Sequence, residues 1–185
     1  MGGGEVPIGT KAYVIGLLTT AEGNSFCGGA LISPTHVLTT ASCTSFEQGS
    51  SIPHWVAVGT HYINGTKDGE RIKIVGAKNH TIKFSPIKLP AADDSDITPG
   101  MWSKVMGWGD TSYPNGTPSN GLQSVGLKDS CIGDTGDPLI KEKGRDDADD
   151  IVIGLVGWGY QCGNKGIAAV YFRVSAAIEW INSTV

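Results

Sequence analysis

FCGGALISPTHVLTTASC, residues 26 to 43, places two short runs of β-forming residues, Ala30 to Ile32 and His36 to Thr40, around the turn Ser33-Pro34-Thr35. Proline presets φ for such a turn, and the flanking hydroxyls can bond their own backbone. Cys27 and Cys43 stand at the two ends. Working outward, the same alternation recurs at Ala12 to Leu18, Trp55 to Thr60, Arg71 to Val75, Lys104 to Trp108, Leu122 to Leu127, Pro138 to Lys141, Ile151 to Trp158 and Val170 to Val174. Turn chemistry separates these runs, at Asn64-Gly65, Pro114-Asn115-Gly116 and Gly163-Asn164-Lys165-Gly166 among others. Short strands between turns predict an all-β chain. The C-terminus departs from this, because Ala177, Ile178, Trp180 and Ile181 have helical spacing after Ser175, the expected N-cap. There is no internal repeat and no heptad.

The chain has 185 residues, enough for one domain or two tightly packed halves. Lys and Arg number 14 against 18 Asp and Glu, a net charge of −4, which argues against binding nucleic acid through overall charge. Gly accounts for 27 residues and charged residues for only 17%, the composition of a turn-rich chain. No apolar run approaches the length of a membrane span. Four cysteines, Cys27, Cys43, Cys131 and Cys162, lack the spacing of a zinc site, so disulfides are expected and neither a metal nor a cofactor. Four N-x-[ST] sequons, at Asn64, Asn79, Asn115 and Asn182, point to the secretory route; Pro118 makes that of Asn115 the weakest. Met1 to Glu5 carries neither the basic nor the apolar region of an export signal, so either a signal has been removed or the chain is not exported as written. Two acidic stretches are expected to be solvated: Lys141 to Asp150 as a hairpin tip, and Asp93-Asp94-Ser95-Asp96, which lacks the spaced ligands of a calcium loop, as a linker.

A second block, DSCIGDTGDP at Asp129 to Pro138, joins the first in resembling the trypsin-like serine proteases, whose signature blocks have the forms CGG-x-LI…AAHC and GDSGGP. Gly107-Trp108-Gly109, Gly157-Trp158-Gly159 before Cys162, Val170-Tyr171-x-Arg173-Val174 and the terminal Trp180-Ile181 follow in the same order. The resemblance implies two packed antiparallel β-barrels, approximately residues 1–90 and 91–185, within a single trypsin-like domain that ends in a helix. It also implies disulfides Cys27–Cys43 and Cys131–Cys162, out of three possible pairings. The catalytic histidine position is matched by Ser42 and the nucleophile by Thr135, followed by Asp137 where the family has glycine. The strand that carries the catalytic aspartate is absent between Ile82 and Lys83, so the first barrel is expected to be shortened; a second gap falls between Leu127 and Lys128. A serine cannot act as general base near neutrality, the methyl of threonine crowds attack, and the carboxylate is gone. Loss of a triad costs about a million-fold in rate, so no catalytic residues are expected. His36 is expected to be structural, and His54, His61 and His80 have no catalytic spacing. Asp129, Trp158, Gly159 and Ala169 match the specificity pocket, with Ala169 and Gly157 replacing the usual Gly and Ser, and are read as a vestigial site.

Within that family the chain resembles the glucanase inhibitor proteins of plant-pathogenic oomycetes such as Phytophthora. The stretches LISPTHVLTTASCTS, HWVAVGTHYINGTKDGERIKI, KLPAADDSDITPGMWSKVMGWG and DTGDPLIKEK…DDADDIVIGLVGWGYQCG carry this likeness. It implies a secreted, monomeric non-peptidase that binds and inhibits host endo-β-1,3-glucanase in the plant apoplast, as a virulence effector. The alternatives are a degenerate member without a partner and a residually active protease. The acidic run Asp146, Asp147, Asp149 and Asp150 is expected to form a surface that attracts a basic partner.

Overall fold

The structure, a computed structural model, describes residues 3–44, 51–64, 68–74, 83–126, 130–144, 146–159, 162 and 169–185. Two antiparallel sheets make up the fold. The first takes β2 (Val14–Leu18), β3 (Cys27–Ser33), β4 (His36–Leu38), β5 (Trp55–Val58) and β6 (Glu70–Lys73) in the order β4-β3-β2-β5-β6. The second takes β1 (Gly4–Glu5), β7 (Lys104–Gly107), β8 (Gln123–Gly126), β9 (Pro138–Lys141), β10 (Ile151–Trp158) and β11 (Val170–Arg173) in the order β1-β8-β7-β9-β10-β11. A short helix, α1 (Ile178–Thr184), ends the chain. The all-β class and the terminal helix therefore stand as the sequence indicates. No helix of the described residues is long and apolar enough to cross a membrane.

Strand position explains strand composition. β2 is flanked on both sides by β3 and β5 and every one of its residues is buried, which is why its sequence runs continuously apolar instead of alternating. β10 lies in the same way between β9 and β11. Its pairing with β9 shifts register between Val152 and Gly154. Val152 joins the large core and Ile153 a smaller one; after the shift Leu155 returns to the large core and Val156 to the smaller. An extra residue in one strand reverses which face each later side chain takes, so Leu155 and Val156 exchange the faces that unbroken alternation would give them. The large core spans the two sheets, with Ile15, Leu31 and Val58 from the first, Met106, Ile140 and Leu155 from the second, and Ile178 and Ile181 from α1. Trp108 fastens the sheets further: its indole N–H donates to the His61 carbonyl at 2.9 Å.

Three expectations need correction. Ser175 does not cap α1; it sits in a 3-10 turn, Ser175–Ala177, and its hydroxyl donates to Asp94 Oδ1. The stretch Asp93 to Asp96 is not a merely solvated linker. Asp94, with φ at +60°, also pairs with Arg173 at 2.6 Å, and Asp96 accepts the Ala91 N–H at 2.9 Å and pairs with Lys143. These contacts, the Ala91 amide foremost, hold the Asp96 carboxyl below its ordinary range.

The acidic run before β10 is likewise no free surface. Asp150 is buried, and its Oδ2 accepts from Lys11 Nζ at 2.6 Å and from the Tyr13 hydroxyl at 2.5 Å. Asp147 accepts the Lys11 backbone N–H at 2.6 Å and lies 3.0 Å from its ammonium, as does Glu142, while Asp149 pairs with Lys88 on the surface. Burial by itself would lower the Lys11 pKa, but the hydrogen bonds to Asp150, Asp147 and Glu142 outweigh it and hold the ammonium above its usual value. Burial and then the Asp150 carboxylate push the Tyr13 phenol up as well. Lys11 thus offsets one of the three negative charges around it, all carried by residues more than 130 positions away in sequence. Lys11→Met should destabilise the fold by about 2–4 kcal/mol in urea denaturation, since it strands a buried carboxylate; a loss under about 0.5 kcal/mol would show that the cluster contributes no more than an exposed pair.

Candidate functional site

The site lies where the turn after Cys131 meets both sheets. Thr135 is half-buried on that turn. Its carbonyl oxygen accepts the Gly28 N–H of β3 at 2.8 Å, the Gly136 N–H donates to the Val156 carbonyl of β10 at 2.9 Å, and the Val156 N–H returns to the Asp137 carbonyl at 2.9 Å. The turn is therefore held from the first sheet on one side and from the second on the other. Gly136 is obligatory there: its φ is +85°, and a Cβ would fall 2.4 Å from the Gly28 carbonyl oxygen and 2.6 Å from Thr39 Oγ1.

Ser42 sits exposed in the 3-10 turn Ala41–Cys43, with its hydroxyl 3.0 Å from Thr40 Oγ1. The neighbouring Cys43 brings this turn against the nucleophile block, its Sγ lying 3.4 Å from the Thr135 carbonyl oxygen. The structure thus brings the Ser42 and Thr135 segments together, but no described imidazole joins them. His36 Nδ1 is engaged by Ser33 Oγ at 2.9 Å and Thr35 Oγ1 at 3.0 Å, and His61 Nε2 by Glu5 Oε1 at 2.7 Å. His54 is exposed, its backbone N–H donating to Leu18, and His80 lies outside the described residues. A hydroxyl with no base beside it is a poor nucleophile, and among the described residues none is placed to activate Thr135.

Beside Thr135 opens a cavity of about 420 Å³, lined among others by Tyr113, Ser130, Ile132, Val156, Trp158 and Gly159. Trp158 and Gly159 are wall residues. Ala169 abuts Gly159 from behind, 3.8 Å from where a Cβ on that glycine would sit, and Asp129 lies outside the described residues. Tyr113 and Ile132 complete the rim and escaped the sequence reading; the one signal for Tyr113 was the turn that follows it. The Cys131–Cys162 disulfide, with Cα atoms 5.1 Å apart, borders the same cavity, and Cys27–Cys43, at 6.0 Å, ties β3 to the turn of Ser42. Among the described residues no group of three or more His, Cys, Asp or Glu could hold a metal ion. Of the sequons, Asn115 and Asn182 are exposed, Asn64 is half-buried, and Asn79 lies outside the described residues.

Comparison with known proteins accounts for this arrangement. The trypsin family model matches residues 1–128 and 121–181. Glucanase inhibitor protein 3 of Phytophthora sojae (strain P6497) is 59% identical over 230 aligned positions, covering 100% of this chain and 88% of the relative. Glucanase inhibitor protein 1 of Phytophthora infestans is 57% identical, covering 99% of this chain and 87% of the relative. Glucanase inhibitor protein 1 of Phytophthora sojae is 56% identical, covering 100% and 88%. The first alignment runs to 230 positions against 185 residues, so that relative carries internal segments with no counterpart here. With the family model matching nearly the whole length of the chain, it belongs to the trypsin family.

Proposed function

We propose that this chain is a secreted, catalytically inactive trypsin homologue that binds a plant endo-β-1,3-glucanase and inhibits it in the apoplast. The observation that carries the reading is Ser42, an exposed serine at the position of the general base, in a chain more than half identical to proteins named as glucanase inhibitors. Binding requires only a complementary surface held in place, and the two disulfides and the clamped turn supply the rigidity without any chemistry at Thr135. The protein acts as a monomer.

Finer features belong to the same reading. Each sheet curls into a trypsin-type barrel, approximately residues 1–90 and 91–185 except that β1 joins the second, the first short of one strand. Trp158, Gly159, Ala169 and Asp129 are what remains of a specificity pocket. Asn115 and Asn182, both exposed, are the sequons best placed to carry glycans. Within the acidic run Asp150 is buried and paired with Lys11, which leaves attraction of a basic partner to its exposed members, Asp146 and Asp149.

Two outcomes are expected. Purified protein in stoichiometric amounts should reduce hydrolysis of laminarin by at least one secreted plant endo-β-1,3-glucanase while leaving that enzyme uncleaved; full activity across a panel, with no complex at micromolar concentration, would refute the inhibitor reading. The protein should also turn over no peptide or ester substrate and take no fluorophosphonate label at Thr135. Ser42→His combined with Thr135→Ser should not restore turnover, because no carboxylate orients the new imidazole.

A further inference from the structure

Asp137, which replaces a family glycine, sends its carboxyl into the seam between the two sheets and is only 1% exposed. Two glycines, one from each sheet, make room for it. A Cβ on Gly28 of β3 would fall 1.6 Å from Asp137 Oδ1, and one on Gly107 of β7 would fall 1.8 Å from Oδ2. Asp134 lies alongside, with its Oδ1 accepting the Gly109 N–H at 2.8 Å and its Oδ2 the Cys131 N–H at 2.7 Å. The two carboxyls are hydrogen-bonded to each other, while Asp137 Oδ1 itself has no hydrogen-bond partner.

The donor distribution decides where a proton resides. Asp134 has two amides to stabilise a negative charge and Asp137 has none, so Asp137 carries the proton and donates it to Asp134. The surrounding elements do not disturb this assignment, since β3, β7 and β10 face the pair with Gly28, Gly107 and the Val156 amide, none of which titrates. The charges that act on the pair are the carboxyls themselves and, least of those acting on Asp134, the positive amino terminus. Burial and then the neighbouring carboxylate push Asp137 well above the usual carboxyl range; burial also raises Asp134, against its two amide donors.

We propose that Asp134 and Asp137 form a proton-held clasp within the turn that fills the seam between the two sheets, closed while Asp137 is protonated and loosened when it ionises. An acid whose folded form holds its proton more tightly than the unfolded chain stabilises the fold fully below about pH 4, and that stabilisation is lost as pH rises through the folded value. Ionisation would place two negative charges in a space closed by glycine α-carbons. The backbone bonds first affected are those beside the pair, Gly28 to Thr135 and Val156 to Asp137.

The experiment compares the intact protein with Asp137→Asn and Asp137→Gly by urea denaturation from pH 4.5 to 8.5, with amide hydrogen exchange at Gly28 and Val156. The Asn side chain donates to Asp134 without titrating, and the Gly variant removes the pair altogether. The unmodified protein should lose stability with rising pH, and the folding equilibrium constant of Asp137→Asn should exceed it by at least about tenfold at pH 8.5, one pKa unit of linkage. After correction for intrinsic base catalysis, Gly28 and Val156 should lose protection with pH faster than Leu17 within the first sheet, in the unmodified protein only. If Asn cannot be accommodated, the Gly variant alone should show the flattened profile. Parallel pH profiles in the unmodified protein and every variant that folds, or equal loss of protection at Gly28 and Leu17, would overturn the clasp.

Discussion

The hydrogen bond from the Gly28 amide to the Thr135 carbonyl is the constraint around which the rest is arranged. It is made by the first sheet to a turn that belongs by sequence to the second, and it fixes that turn while β10 holds its other side through Gly136 and Val156. Gly136 at positive φ lets the backbone approach, Cys43 packs its sulfur on the same carbonyl, and the disulfide to Cys27 anchors that sulfur to the strand that donates. A frame evolved to orient a nucleophile therefore persists after the groups that activate it have gone. Fold and chemistry separate cleanly here because the frame is backbone and the chemistry was side chain.

How much of this was legible in the sequence depends on the range of the interaction. The blocks around Cys27 and Cys131 fixed the class, and Ser42 and Thr135 could be placed at the triad positions because the cysteines and glycines beside them act as rulers. β10 was readable as a strand, but not its register shift, which depends on pairing with β9 and is decided by two cores competing for one strand. The two-residue β1 left no periodic signal at all; it is a strand because β8 offers it an edge.

Charged residues were the hardest to read. A run such as Asp146, Asp147, Asp149 and Asp150 suggests solvent when its neighbours in sequence are polar, yet Lys11 and Tyr13 reach it from the other end of the chain. Asp137 was legible only as a replacement for glycine, whereas its burial between Gly28 and Gly107 raises its pKa well above the usual carboxyl range. Asp150 is paired by groups far away in sequence, and Asp137 is buried by them although its hydrogen-bond partner, Asp134, is only three residues away.

The cradle of Asp137 also carries a consequence for divergence. While the aspartate is present, neither Gly28 nor Gly107 can gain even a methyl group, because the space is filled by carboxyl oxygens. Were Asp137 to become glycine, both positions would lose those oxygens as their nearest obstruction, but the α-carbon of residue 137 would still lie 3.0 Å from a Cβ at Gly28, and Asp134 Oδ1 2.7 Å from one at Gly107. The three positions therefore form an epistatic set: alanine at Gly28 collides with a carboxyl oxygen in one background and meets only a tight backbone contact in the other, so the order of substitutions determines which sequences related to this one can be reached.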